Sequence, residues 1–144
     1  MKYYGPGHTS GDSVVTFVQA NVVHMGDLMF NKRHPFIDRP AGASIRNWIT
    51  LLESTVKDHA VDTIYIFGHA KDGQPVTGGQ GHLLEMRDYL TAVLDVTKKA
   101  IALGKSREET TKVGPLSKFE DYMEAPPRLT LATVLGVAYD ELKN

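Results

Sequence analysis

Three short pieces of the chain share one design: Gly7-His8-Thr9-Ser10-Gly11-Asp12, Gly26-Asp27 and Gly68-His69. Each sets a metal-capable side chain beside a glycine, at the end of a segment that reads as a strand. This constrains the fold, because residues so far apart in the chain meet only if the strand ends share one edge of a sheet. His8, Asp27 and His69 are two imidazoles and a carboxylate, the ligand types of a zinc or iron site. A single Gly-His or Gly-Asp is an ordinary turn. The order of the three and their strand-end settings make the set specific.

The segments between them predict the frame. Met1 to Tyr4 is short and aromatic and reads as a strand; Gly5-Pro6-Gly7 is a loop. Ser13 to Val18 is β-branched and apolar, Gln19-Ala20-Asn21 turns the chain, and Val22 to Met25 completes a hairpin that ends at Gly26-Asp27. Leu28 to Ala43 holds Pro35, Pro40 and charges of both signs with little periodicity, a loop long enough to carry function. Ser44 is an N-cap for a helix with Ile45, Trp48, Ile49, Leu52 and Val56 at helical spacing. Asp62 to Phe67 is a strand closed by Gly68-His69, and Asp72-Gly73 and Gly78-Gly79 mark a flexible loop. The longest helix carries Leu83, Met86, Leu90, Leu94 and Ile101 on one stripe and stops at Gly104. A short helix from about Ser106, breaks at Pro115 and Pro126-Pro127, and a last helix over Leu129 to Leu142 make residues 104–144 a helical tail. Leu131, Val134, Leu135 and Ala138 are its inward positions. The order predicts one α/β (α+β) domain over residues 1–144, a mixed sheet with helices on one face.

The run Gly-His-Thr-x-Gly-Asp, an apolar strand ending in Gly-Asp, a helix, and an apolar strand ending in Gly-His resembles the second half of the metallo-β-lactamase superfamily. The resemblance covers about Tyr3 to Leu94. It implies half of an αββα sandwich and a metal-dependent hydrolase. His8 binds a first metal, Asp27 bridges two metals as the catalytic carboxylate, and His69 binds the second. The family's first half carries a His-x-His-x-Asp-His motif with the other four ligands, and this sequence has no such motif. The resemblance therefore implies the C-terminal half of the fold, with three of the family's seven ligands. The missing half is then another chain, a removed segment or a second copy forming a homodimer, seated on the sheet face the helices leave open. The competing reading is a non-catalytic module acting in binding or assembly.

The chemistry favours zinc, with iron or manganese also suited to a carboxylate bridge. Thr9, Ser10 and Asp12 are placed to fix the ring of His8. Phe30, Lys32 and Arg33 in the long loop are candidates to face a small-molecule substrate, an ester, thioester, lactone or phosphodiester. Tyr3 and Tyr4 read as pocket lining or plain packing, and Trp48 as helix core. His24 has the opposite strand parity to Asp27 and reads as a core or interface residue; His34, His59 and His82 sit in polar contexts and read as surface. A net charge of −1 gives no attraction to nucleic acid or anionic membrane. The sequence has no bilayer-length apolar run and no leader pattern at Met1, and its lack of cysteine excludes disulfides and thiolate ligands without fixing a compartment.

Overall fold

The computed structural model describes residues 1–143. The elements are β1 (Val15–Phe17), β2 (Val22–Asn31), α1 (Ile45–Asp58), β3 (Ile64–Ala70), β4 (Thr77–Gly78), α2 (Gln80–Ala102), α3 (Arg107–Thr111) and α4 (Leu131–Lys143), with one 3-10 turn at Val18–Ala20. They form one mixed sheet in the order β1-β2-β3-β4. β1 and β2 are an antiparallel hairpin, β2 and β3 are parallel across α1, and β4 is antiparallel to β3.

Alternation along the central strands separates two sheet faces. Val23 and Met25 on β2 and Tyr65 and Phe67 on β3 are buried with Trp48, Leu51 and Leu52 of α1 and Leu83, Met86 and Leu90 of α2 in one core. The intervening positions Val22, His24, Ile64 and Ile66 share the other face with Val15 and Phe17, which pair opposite His24 and Val22. On that face Phe17 and Ile64 are each 52% exposed. The predicted architecture, helices on one side of a mixed sheet, is the observed one.

Several predicted boundaries differ. β1 is only Val15–Phe17, because Val18 already belongs to the 3-10 turn, and β3 runs Ile64–Ala70, so Gly68 and His69 lie within the strand and do not close it. β2 does not end at Gly26-Asp27 but continues through Leu28, Met29, Phe30 and Asn31, all buried. That four-residue run is covered on both sides, so it shows no alternation and reads as loop in sequence. Met1 to Tyr4 contributes only a single bridge, Lys2 to Val14, in place of a strand. Gly78 belongs to the two-residue β4, too short for a sequence pattern.

The start of α1 is secured twice. Ser44 accepts a hydrogen bond from the Asn47 N–H at 3.2 Å, as its composition predicts. Glu141, from α4, reaches across and accepts from the Ile45 N–H at 2.8 Å and the Arg46 N–H at 3.1 Å. These are first-turn amides that no intrahelical carbonyl can satisfy. Glu141 is only 7% exposed, with the Arg39 guanidinium 3.7 Å away. A buried carboxylate on a helix N-terminus is favoured by both the amides and the helix dipole.

His34 is 4% exposed and not a surface residue. Its Nδ1 is 2.7 Å from the Tyr89 hydroxyl, its Nε2 is 3.5 Å from Glu124, and Tyr122 stacks on Tyr89 at 4.6 Å. His59 is also drawn in: it ends α1, with Nδ1 2.7 Å from the Thr55 carbonyl and Nε2 2.9 Å from Thr16 Oγ1. His82 is half-buried beside Phe67, ring centroids 5.3 Å apart. His24 is exposed on the open sheet face rather than in the core, its Nδ1 accepting from the Gly26 N–H at 3.1 Å. Among the described residues no helix is long and apolar enough to cross a membrane.

Two predictions follow from this packing. Glu141→Ala strands two first-turn amides and is expected to cost about 1–3 kcal/mol, read as a lower urea midpoint; an unchanged midpoint would show that Ser44 alone suffices. Burial holds the His34 imidazole below the ordinary histidine value of 6.5, with Glu124 opposing the shift. The folded state thus binds the proton less readily than the unfolded chain. The contribution is complete well above pH 6.5 and is lost as pH falls through the unfolded value toward the lower folded one. Urea midpoints at pH 7.5 and pH 5 should differ more for the wild type than for His34→Gln, and equal differences would refute the assignment.

Candidate metal centre

The parallel pairing of β2 with β3 is broken twice, between His24 and Gly26 and between Gly26 and Phe30. At the first break Gly26 takes φ +53°, a left-handed conformation open to glycine at little cost. Irregularities of this kind re-aim side chains, and the parity rule that sets His24 and Asp27 on opposite faces does not carry across them. Gly68 on β3 lies directly against this bend. A Cβ there would stand 2.4 Å from the Gly26 carbonyl oxygen and 3.0 Å from the Asp27 nitrogen. Only a residue without a side chain lets the two backbones approach so closely.

The consequence is that Asp27 and His69 meet. His69 Nε2 lies 3.0 Å from Asp27 Oδ1, with the side chains 41% and 51% exposed. The imidazole is held flat on the buried Phe30 ring, centroids 4.4 Å apart and planes within 22°.

His8 is positioned from the other side. Asn47 of α1 donates from Nδ2 to the Tyr4 and Pro6 carbonyls at 3.2 and 2.7 Å, the Ser44 N–H donates to the Gly7 carbonyl, and the Asp38 N–H to the His8 carbonyl. Gly7 is pressed against Leu28 and Trp48, and a Cβ there would lie 2.6 Å from Leu28 Cδ2. The His8 ring sits among Phe30, Phe36 and Trp48 at 6.4, 5.9 and 6.3 Å. Its Nδ1 is 3.6 Å from Asp12 Oδ1, close enough to feel the charge but beyond a hydrogen bond. Asp12 is itself fixed by the Thr9 N–H at 2.7 Å and the Thr9 hydroxyl at 3.0 Å. Ser10 turns elsewhere, its N–H donating to the Ala41 carbonyl.

Of the three predicted ligands, the structure joins Asp27 with His69 and leaves His8 apart, with Phe30 beside both imidazoles. Among the described residues no group of three or more histidine and acidic side chains is gathered closely enough to hold a metal ion. The Asp27–His69 pair has the donor chemistry of two neighbouring ligands on one cation. A catalytic zinc takes three protein ligands, so the chain by itself does not fit a complete centre.

In the long loop, Phe30 is buried in β2, and Lys32 pairs with Asp121 at 3.4 Å and Glu85 at 4.0 Å. Arg33 lines a surface cleft with Phe36 and Arg128. Sequence patterns miss Phe36 and Arg128: neither belongs to a motif, and Arg128 reaches the cleft only because residues 121–129 run beside residues 32–34, bridged at Arg33 and Met123. Tyr4 bonds Asp58 at 2.8 Å and Tyr3 is exposed, so neither belongs to the site.

Gly68→Ala forces the β2 and β3 backbones apart and is expected to destabilise by about 1–3 kcal/mol. Gly81→Ala, inside α2 where an added Cβ meets nothing within 4 Å, is expected to be neutral or stabilising. Equal urea midpoints for the two variants would show that the Gly26–Gly68 approach is slack.

No curated protein matches the chain. The sequence profile of the metallo-beta-lactamase superfamily matches residues 2–93, from the N-terminal bridge through most of α2 and including His8, Asp27 and His69. With well over half of its length matched, the chain belongs to the metallo-β-lactamase superfamily.

Proposed function

We propose that the chain contributes part of a metal-dependent hydrolytic centre, with Asp27 and His69 as adjacent ligands and His8 as a third. Polypeptide that carries the remaining ligands completes the centre. The observation that supports this most is the convergence of Asp27 Oδ1 and His69 Nε2 at 3.0 Å, at an irregularity that two glycines build. Zinc suits this donor set best, with iron or manganese as alternatives. Such a centre, once completed, would hold a metal whose role would be to make water acidic enough to react near neutral pH. The chain's own part would be to present the Asp27 carboxylate beside His69, to orient His69 on Phe30, and to keep Asp12 beside His8. The bond cleaved is an ester, thioester, lactone or phosphodiester of a small molecule.

The completing polypeptide seats on the open sheet face, where Phe17 and Ile64 are exposed and Val22 and Ile66 half-buried. A segment bearing a His-x-His-x-Asp-His motif brings the ligand types this chain lacks. A second copy of the chain repeats those already present. Light scattering separates the two: a dimer that Ile64→Asp dissociates identifies the second copy.

The second reading, a non-catalytic module, draws on the absence of a three-ligand cluster among the described residues. Zinc titration by calorimetry decides between them. Asp27→Ala and His69→Ala are expected to weaken zinc binding at least tenfold while His34→Gln leaves it unchanged. Zinc affinity that ignores all three substitutions, with no turnover of p-nitrophenyl or thioester substrates, would leave the module reading standing.

A further inference from the structure

Beside His8 lies a cleft of about 360 Å³, formed between the loop after β2 and the tail before α4. Its walls are apolar, with Phe36, Pro126, Pro127 and Leu129, but two guanidinium groups, Arg33 and Arg128, also line it. Neither arginine has a carboxylate within 4 Å among the described residues, whereas the other two cations of the same loop are committed: Lys32 to Asp121 and Glu85, and Arg39 to Glu141. The nearest acidic residue of the tail, Glu124, accepts from the Leu131 N–H and faces His34. Arg33 Nε is shut off from solvent and has no hydrogen-bond partner among the described residues. A donor in that condition is unusual in a folded chain. The Arg128 guanidinium lies 6.0 Å from the Phe36 ring centroid, and the same ring is 5.9 Å from the His8 imidazole. Phe36 is thus a wall common to the cleft and to the candidate ligand His8.

From this juxtaposition we propose that the cleft is an anion-binding subsite. It takes the carboxylate or phosphate of a small molecule between Arg33 and Arg128 and lays an apolar body against Phe36 and the two prolines. Planar guanidinium groups match both oxyanions through paired N–H donors, and a mostly apolar wall with a few convergent polar groups is how ligand clefts are built. That the bound molecule is the hydrolytic substrate rests on the function proposed above; that the cleft binds such anions does not.

The test uses the whole chain without added metal. Hexanoate, hexyl phosphate and hexanol are titrated by isothermal calorimetry or by amide chemical-shift changes in NMR. Hexanoate and hexyl phosphate are expected to bind, hexanol at least tenfold more weakly, and the better of the two anions identifies the headgroup. Arg128→Met, an exposed position that does not threaten folding, and Arg33→Met are each expected to weaken anion binding at least tenfold, while Lys118→Met, which lines a separate cleft along α2, leaves it unchanged. Hexanol binding as tightly as hexanoate, or anion affinity that survives the Arg33→Met/Arg128→Met pair, overturns the proposal. Because no metal is present, loss of binding here and loss of zinc binding in Asp27→Ala are separate results, and either can fail alone.

Discussion

β2 and β3 lie parallel, and at their middle the two backbones touch through glycines: Gly68 rests on the Gly26 carbonyl, with no room for a side chain. Parallel neighbours need a long crossover, and residues 32–63 with α1 supply it. The crossover leaves β2 in one direction and returns at β3 in the same direction, so Asp27 and His69 come out on adjacent strands. The left-handed turn at Gly26 sets the carboxylate across from the imidazole at the point of closest approach. The core, the crossover and the pairing of the two donors therefore share one geometric condition, contact between two strands that only glycine allows.

The helices were legible because their signals are local. Ser44 caps α1, the apolar stripe of α2 runs from Leu83 to Leu94, and Gly104 ends it at φ +74°. The second cap on α1 was not legible, since Glu141 lies 96 residues from Ile45 and acts only once α4 has docked. Leu28 to Asn31 reads as loop in sequence because a strand buried on both faces loses the alternation that marks it. His34 reads as surface in sequence because its neighbours Lys32 and Arg33 are polar, while the residues that pack on it, Tyr89 and Tyr122, lie far along the chain. The donor types at the centre were legible, and their spacing in the structure was not. The bend at Gly26 brings Asp27 to His69, and the aromatic packing around Phe30 leaves His8 on its own.

That aromatic packing has a function in the architecture. Phe30 is buried, stacked on His69 and tilted toward Trp48, whose indole N–H donates to the Leu28 carbonyl at 3.0 Å. The ring fixes the plane of His69 from below, and the indole bond fixes the strand from which Phe30 extends. His8 lies against the same cluster. The two imidazoles are thus anchored to one rigid aromatic body although no bond connects them, which is the support that a binding constellation needs to hold its geometry.

Exposure explains how the Asp27–His69 pair can be stable by itself. An ionised carboxylate buried without a partner costs several kcal/mol, so a fold that buried Asp27 would need a compensating charge or donor set in order to form. Here Asp27 keeps half of its surface in water and His69 about two-fifths, and each also has the other for a partner. The chain can therefore fold with its donors hydrated. Folding of the chain waits on no cation and on no second surface. By contrast the carboxylate that is buried, Glu141, already has its amide donors within the chain. The fold thus buries the charge it can satisfy by itself and leaves at the surface the pair that has ligand chemistry to offer.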